Sequence, residues 1–179
     1  MNTAASDSEA SIEVVPYDAR WPACFLREQA MLEEVLMFCL AGPIEHIGST
    51  AVPGLAAKPV IDIMARVRSL ELSRAVIAIA AAESAGYCYY PYKSEAMHRF
   101  CKPSPAYRTH HLHLVPTGSR LWRERLAFRD ALCIKPALAQ AYAELKLRLA
   151  TEYRNVREAY PEAKEPFIRA ALAQADAPV

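Results

Sequence analysis

An apolar run over residues 60–67 is interrupted only by Asp62 and Arg66. Burying a carboxylate in such a strand costs free energy unless it has a partner, so Asp62 is a candidate ligand for a cation. Gly48 and Ser49 precede the strand, and a Gly-Ser turn can offer backbone N–H groups and a hydroxyl to an anion. Together the acid and the turn predict a site for a phosphate group and a metal ion.

A second set of potential ligands lies in residues 109–115. His111 and His113 alternate there, so both would project from one face of a strand, while the intervening leucines would project from the other. If that face also carries Asp62, the site holds one carboxylate and two imidazoles, a set that suits Zn²⁺, Mn²⁺ or Fe²⁺ better than Mg²⁺. The alternative is that both histidines are polar groups satisfied by neighbouring side chains. His110 would point away and is given no role.

Short motifs accompany these residues from one end of the chain to the other. They are Val15-Pro16-Tyr17-Asp18 with Trp21-Pro22, GSTAVPGLAAKPVID over residues 48–62, RTHHLH over residues 108–113, Phe128-Arg129-Asp130, Tyr142 with Leu145-Lys146, and Tyr160, Lys164 and Phe167-Ile168. In this combination the chain resembles the GrpB-like proteins, which are assigned to the nucleotidyltransferase superfamily. The resemblance implies that superfamily's fold, a mixed β-sheet flanked by helices.

The resemblance also implies a particular arrangement of acids. Nucleotidyltransferases place a Gly-Ser turn before a strand with two acids at alternate positions, and a third acid comes from a later strand. These carboxylates hold two Mg²⁺ ions that neutralise a triphosphate. Gly48, Ser49 and Asp62 match the turn and the first acid. Met64 occupies the second position and cannot ligate a hard cation, which counts against the usual two-metal transfer.

Basic residues near these motifs are candidate contacts to a phosphorylated ligand. Lys58 precedes the acid-bearing strand and could reach a phosphate, although an isolated loop lysine is more often solvated. Arg99 and Lys102 flank a short strand beside an aromatic cluster, where the alternative is a half-buried sheet edge. Helical charges and tyrosines are ordinarily surface and packing residues. The match to the family pattern alone adds three more candidates for ligand contact, namely Arg129, Tyr142 and Lys146.

Motif spacing argues against two other kinds of site. A Ser-His-Asp hydrolase would use Ser49, one histidine and Asp62, but Ser49 lacks the G-x-S-x-G elbow and nothing marks an oxyanion hole. A P-loop is excluded because Gly48, Ser49 and Lys58 do not form G-x-x-x-x-G-K-[ST].

Periodicity and capping signals predict the elements that position these residues. Strands are predicted at residues 12–15, 44–47, 60–67, 87–90, 99–102 and 109–115. A first helix would be capped by Asp18, with Pro22 in its first turn. Later helices are predicted at residues 70–85, ended by Gly86, at 121–133, capped by Ser119, at 136–150 and at 162–174. Strands in the middle and helices at both ends predict an α+β fold, with a helical C-terminal part.

Composition limits the remaining possibilities. The chain has 179 residues, about the size of one domain, and residues 12–179 are predicted to form a single domain after a disordered lead-in at 1–11. A net charge of +1 gives no global argument for nucleic acid or an anionic membrane. The five cysteines lack C-x-x-C spacing, which predicts reduced and mostly buried thiols in a cytoplasmic protein. Neither a membrane span nor a signal peptide is predicted.

These observations predict a protein that binds a nucleotide or other phosphorylated ligand with a divalent cation, Mg²⁺, Mn²⁺ or Zn²⁺. If active, it would transfer a nucleotidyl or phosphoryl group, with Asp62 and His113 as catalytic residues and with Asp62, His111 and His113 as metal ligands. The alternative, which Met64 favours, is an inactive ligand-binding or accessory module, for example a helper in coenzyme A or nucleotide metabolism.

Overall fold

Five strands and five α-helices make up the described part of the chain, residues 11–71, 74–91, 95–154, 156 and 159–175 of a computed structural model. A short 3₁₀ turn, Ser49–Ala51, follows the first strand. The elements in chain order are α1 Trp21–Leu36, β1 Leu40–Ile47, β2 Ile61–Val67, α2 Arg74–Ser84, β3 Cys88–Tyr89, β4 His98–Pro103, β5 Arg108–Pro116, α3 Arg120–Ile134, α4 Pro136–Glu152 and α5 Ala159–Ala175. The predicted α+β arrangement with a helical C-terminal part is confirmed.

The strands form one mixed sheet in the order β1-β2-β5-β4-β3. The β2 and β5 strands are parallel, and the other neighbouring pairs are antiparallel. A strand in the middle of a sheet that is covered on both faces reads as a nearly continuous apolar run. This explains why β2 carries so few polar residues. The carboxylate of Asp62 in such a strand needs a partner, which marks it as a candidate functional group.

Helices α1 and α2 cover one face of the sheet. Alternate residues of β2, such as Ile63 and Ala65, point into this core together with Leu112 and Leu114 of β5. Phe25, Leu32 and Leu36 of α1 are buried against them. Because side chains alternate between the faces of a strand, Asp62, His111 and His113 are directed to the opposite face.

The C-terminal helices cover that opposite face. Near α3, Met64 and Val115 pack with Leu121, Trp122 and Leu126. Further along, the loop after β1 inserts Val52 and Leu55 among residues of α3, α4 and α5, namely Phe128, Leu132, Tyr142 and Ala171. The helices therefore stand over the sheet and leave a cavity between the two layers.

The chain before α1 differs from its prediction. Residues 12–15 do not form a strand, because their hydrogen bonds go to two separate segments. Ile12 N–H donates to the carbonyl of Arg154, whereas Val15 forms an isolated bridge with Ala57. The first helix begins at Trp21 without a side-chain cap. Asp18 is not the cap, since its carboxylate accepts hydrogen bonds from the backbone and guanidinium of Arg20 instead.

Two helix boundaries agree with their sequence signals. Gly86 follows α2 with φ at 82°, and Ser119 caps α3 by accepting a hydrogen bond from Trp122 N–H. The last helix begins earlier than predicted, at Ala159, and contains Pro166. Apart from Ser11, the predicted lead-in lies outside the described residues.

The cysteines are all free, as predicted, but they are less buried than expected. Cys39 and Cys101 are buried and Cys133 is exposed, while Cys24 and Cys88 are half-buried. No helix among the described residues combines the length and the apolar composition that a membrane crossing requires.

Candidate metal and anion site

The pairing register of β2 and β5 brings Asp62 beside the two histidines. Asp62 pairs with His111, and Met64 pairs with His113. Side chains of residues paired across neighbouring strands project from the same face of the sheet. The prediction that both histidines share the face of Asp62 is therefore confirmed. His110 points to the opposite face, as expected, where Glu28 of α1 is among its charged neighbours.

The three side chains are close enough to share an ion. His111 Nδ1 lies 2.9 Å from Asp62 Oδ1, and His113 Nε2 lies 3.8 Å from the same oxygen. One ligand atom from each residue lies within 4.8 Å of the other two. The buried Nε2 of His111 has no hydrogen-bond partner among the described residues. The ring proton is therefore assigned to Nδ1, where the Asp62 carboxylate accepts it.

The surroundings favour an ionised Asp62 between neutral imidazoles. Burial opposes the charge of Asp62, but the hydrogen bond from His111 and the nearby imidazole of His113 hold the pKa of its carboxyl well below the ordinary value. Burial lowers the pKa of His111 to about 4 and also lowers the pKa of His113. A bound cation needs this combination, because carboxylate and histidine ligands must be deprotonated to coordinate it.

Gly48 has no side chain and so leaves room for the Asp62 carboxylate. Its φ is 73°, a left-handed value that favours glycine, and a Cβ there would lie 2.5 Å from Asp62 Oδ2. Any side chain at this position would therefore collide with the carboxylate.

Thr50 anchors the turn after Gly48 through its side-chain hydroxyl. The buried Thr50 hydroxyl donates to the carbonyl of Val60 and lies 3.0 Å from His46 Nε2. His46 is stacked on Phe25, with 4.7 Å between the ring centroids. Because the hydroxyl has one proton, both bonds form only when His46 donates from Nε2. The turn is thus tied to the core of α1.

We call Asp62, His111 and His113 the Asp62 group. A cavity of about 310 Å³ opens above this group, between the sheet and helices α3 to α5. The acids that line it are Asp62, Glu162 and Glu165, so basic residues outnumber them two to one. A cavity with this excess of positive charge favours anionic ligands. Its six basic residues are Lys58, Arg99, Arg108, Arg125, Lys146 and Lys164.

Lys146 and Tyr142 line the wall that α4 contributes. Lys146 is 2% exposed, donates to the carbonyl of Ala56, and places Nζ 4.8 Å from the centroid of the Tyr142 ring. Burial, with repulsion from Lys164, lowers the pKa of Lys146 to about 7. Burial also raises the pKa of Tyr142 to about 12, against an opposing hydrogen bond with Ser49.

Most of the predicted site residues line this cavity, but two do not. Besides the Asp62 group, the cavity includes Gly48, Ser49, Lys58, Arg99, Tyr142 and Lys146.

Lys102, for which a ligand contact was predicted, lies on the opposite face of the sheet from the cavity. Its Nζ is 2.6 Å from the Glu28 carboxylate of α1 and 4.9 Å from the centroid of the Tyr87 ring. The burial of this ion pair between α1 and the sheet gives Lys102 a structural role.

Arg129, for which a ligand contact was also predicted, is paired with protein groups outside the cavity. Its guanidinium donates to the Glu45 carboxylate and to the His46 carbonyl, each at 2.9 Å, and to Asp130 at 2.8 Å. These bonds attach α3 to β1, and the side chain does not line the cavity.

Several cavity residues had no predicted role, among them Arg125, Tyr160 and Lys164. Tyr160 and Lys164 belong to the motifs of the family resemblance, but no chemical pattern marked them. Together with Ile168 they lie four residues apart on α5 and line the cavity. A lysine within an otherwise apolar helical stripe is the signal that could have identified this face. Arg125 has no such signal.

The fold and the site define an α+β protein with a basic cavity above an Asp-His-His group. Residues 11–174 match the family model described as GrpB protein, and the chain belongs to the GrpB family. A crystal structure of the conserved protein GrpB from Enterococcus faecalis is similar, with a TM-score of 0.80 and 32% sequence identity. The similarity covers 91% of this chain and 96% of that one.

Two bacterial relatives match over most of this chain. A UPF0157 protein of Pseudomonas aeruginosa is 37% identical over 168 residues, which cover 92% of this chain and 67% of that protein. The UPF0157 protein YqkA of Bacillus subtilis is 34% identical over 164 residues, which cover 89% of this chain and 46% of YqkA. The chain thus spans about half the length of YqkA.

Sulfate binding to the cavity is expected to weaken as the pH rises through about 7. Burial lowers the pKa of both Lys146 and Lys164 to about 7, so each is a cation below that pH and neutral above it. Because the pKa of His111 is about 4, its imidazole stays neutral throughout. Sulfate keeps its charge near neutral pH. Calorimetric titration should show an affinity loss of about tenfold or more, and a constant or rising affinity would contradict the expectation.

Proposed function

We propose that this protein binds a phosphorylated, nucleotide-like ligand together with one divalent cation. The observation that supports this most directly is the convergence of one carboxylate and two imidazoles at the floor of a basic cavity. Asp62, His111 and His113 would hold the cation, and the basic side chains above them would bind phosphate oxygens. The Gly48-Ser49 turn borders the same cavity.

The geometry of the three side chains fits a metal ion. Two ligands about 2.1 Å from an ion and at right angles to each other are roughly 3.0 Å apart. The separation of 2.9 Å between His111 Nδ1 and Asp62 Oδ1 meets this requirement once the ring proton has moved from Nδ1 to Nε2, because a protonated nitrogen cannot coordinate an ion. The mixed nitrogen and oxygen donors favour Zn²⁺, Mn²⁺ or Fe²⁺ over Mg²⁺. Such an ion, when bound, supplies a Lewis acid for a phosphoryl oxygen.

Met64 favours a second candidate, an inactive binding or accessory module. Met64 is fully buried, and its register partners on the neighbouring strands are Glu45 and His113. The Glu45 carboxylate is engaged by Arg129, so it does not replace the absent second acid. No further acid among the described residues joins the Asp62 group. One cation rather than two is therefore proposed, and the catalytic roles of Asp62 and His113 stay predictions.

The two candidates differ in whether a bound nucleotide is consumed. Incubation of the protein with diamagnetic Zn²⁺ and a nucleoside triphosphate, followed by ³¹P NMR, distinguishes them. New phosphorus signals support transfer, whereas binding without new signals supports the accessory module.

Replacing either His111 or His113 by Gln should weaken Mn²⁺ or Zn²⁺ binding by about tenfold or more, because each change removes a ligand. The matched control is His110→Gln, which alters the same residue type on the same strand but on the opposite face of the sheet. Calorimetric titration with the metal alone measures the effect. Equal affinities for the three variants would rule out the proposed ligand set.

A further inference from the structure

Three lysines meet two tyrosine rings in the cavity beside the Asp62 group. Lys58 and Lys164 both lie over the Tyr160 ring, with Nζ 5.5 Å and 4.3 Å from its centroid. Lys146 lies over the neighbouring ring of Tyr142. We call Lys58, Lys146 and Lys164 the lysine cluster. They come from a loop and from two helices, so the fold alone brings these like charges together.

No carboxylate of the described residues lies within 4.0 Å of the ammonium groups of Lys146 and Lys164. Lys146 donates to a neutral carbonyl, and Lys164 contacts the face of a ring. The Lys164 side chain is half-buried, and this burial lowers its pKa to about 7. Crowded cations of this kind are stabilised by a bound anion.

A second observation points to the same place. Tyr160 is 1% exposed, and its hydroxyl has no hydrogen-bond partner among the described residues. A buried donor without a partner costs free energy, so most such groups in native proteins are paired. Tyr160 lines the cavity beside Lys58 and Lys164. An anion bound there could accept a hydrogen bond from the hydroxyl.

We propose that the lysine cluster and the Tyr160 hydroxyl form a second anion subsite, so that the ligand carries two linked phosphate groups, as a diphosphate does. The proposal rests on the proposed function in one respect, namely that the first phosphate group lies at the Asp62 end of the cavity. Lysine ammonium groups act as point charges with rotatable donors, and a phosphate offers several oxygens to such separated donors.

Calorimetric titrations with inorganic phosphate and with pyrophosphate, in EDTA and slightly below neutral pH, test this subsite. The wild-type protein should bind pyrophosphate about tenfold or more tightly than phosphate. Lys164→Gln should remove most of that difference, because only the longer anion reaches both ends. The matched control is Lys135→Gln, at an exposed lysine outside the cavity, which should leave both affinities unchanged.

Tyr160→Phe provides a variant with little risk to folding, because it removes only a hydroxyl that has no partner. Its thermal midpoint should equal or exceed that of the wild type, while its affinity for pyrophosphate falls several-fold. A purely structural Tyr160 would show the reverse, with a lower midpoint and an unchanged affinity. The subsite would also be refuted if Lys164→Gln weakened phosphate and pyrophosphate equally or affected neither.

These titrations contain no divalent cation, so they are independent of the metal proposal. Loss of the preference for pyrophosphate in Lys164→Gln supports the subsite, whatever is found for metal binding at Asp62. Conversely, unchanged metal binding after mutation of Asp62 would refute the proposed metal site and leave this comparison intact.

Discussion

Asp62→Asn is expected to abolish binding of Mn²⁺ or Zn²⁺ while leaving the protein folded. Asn removes the only carboxylate of the Asp-His-His group, and neutral ligands alone bind a divalent cation far more weakly. The His111 Nδ1–H can still donate to the Asn oxygen. The free energy of unfolding should therefore fall by only about 1 kcal/mol, the contribution of one hydrogen bond. Metal titration and thermal unfolding of the same sample measure both quantities.

Asp130→Asn is the matched control for this variant. Asp130 lies on α3, outside the cavity, and its side chain is 55% exposed. The Asp130→Asn variant should change neither the metal affinity nor the stability by a large amount. If Asp62→Asn binds metal like the control, or unfolds outright, then Asp62 has a structural role only.

The low pKa of Asp62 also has a consequence for stability. A carboxyl whose pKa is lower in the folded protein than in the unfolded chain stabilises the fold above its ordinary pKa. That contribution is lost as the pH falls through the folded value. The acid side of the stability curve should consequently be shallower for Asp62→Asn than for the wild-type protein.

Gly48→Ala is expected to cause the second largest loss, removing metal binding and weakening anion binding. The new Cβ would lie 2.5 Å from Asp62 Oδ2, so the carboxylate must move. The positive φ adds backbone strain of about 1 to 3 kcal/mol. Ser49→Ala removes only one hydroxyl, with an effect on the order of 1 kcal/mol. Comparable, negligible effects of the two changes would contradict the role assigned to Gly48.

Gly54 offers a control that separates strain from collision. Its φ is 76°, but a Cβ there would meet no atom within 4 Å. Gly54→Ala should therefore lose stability without losing metal binding. If Gly48→Ala and Gly54→Ala behave alike in metal titrations, the close approach to Asp62 has no functional consequence.

The structure adds a reason for glycine at position 48 that the sequence does not reveal. A Gly-Ser turn suggested close approach of a phosphate to the backbone. The structure shows that the missing side chain first makes room for the Asp62 carboxylate. A local motif cannot reveal this, because the two residues become neighbours only when β1 and β2 pair.

Local periodicity was sufficient where the site lies within strands. The alternation of His111 and His113 and the apolar run around Asp62 each specify a strand and its faces. The parallel pairing of β2 with β5 then places the three side chains together. What periodicity could not supply is this register, which depends on the whole sheet.

Two residues that were predicted to contact a ligand lie outside the cavity, and they do so for the same physical reason. Lys102 and Arg129 are paired with Glu28 and Glu45, which are 74 and 84 residues away in the chain. Such partners cannot be recognised from local spacing. The same limit hid Lys164, since a helical lysine resembles a surface residue until α5 packs over the sheet. The positions of basic residues in the fold are therefore predicted less well than those of Asp62, His111 and His113, whose strands have a strict period of two.

The most direct test of the metal site is anomalous X-ray diffraction from crystals soaked in Mn²⁺, recorded on both sides of the manganese absorption edge. We expect an anomalous peak about 2.0 to 2.3 Å from the Asp62 carboxylate and from nitrogen atoms of His111 and His113. A peak only at other acidic residues, or none in the cavity at a concentration that saturates binding in solution, would contradict it.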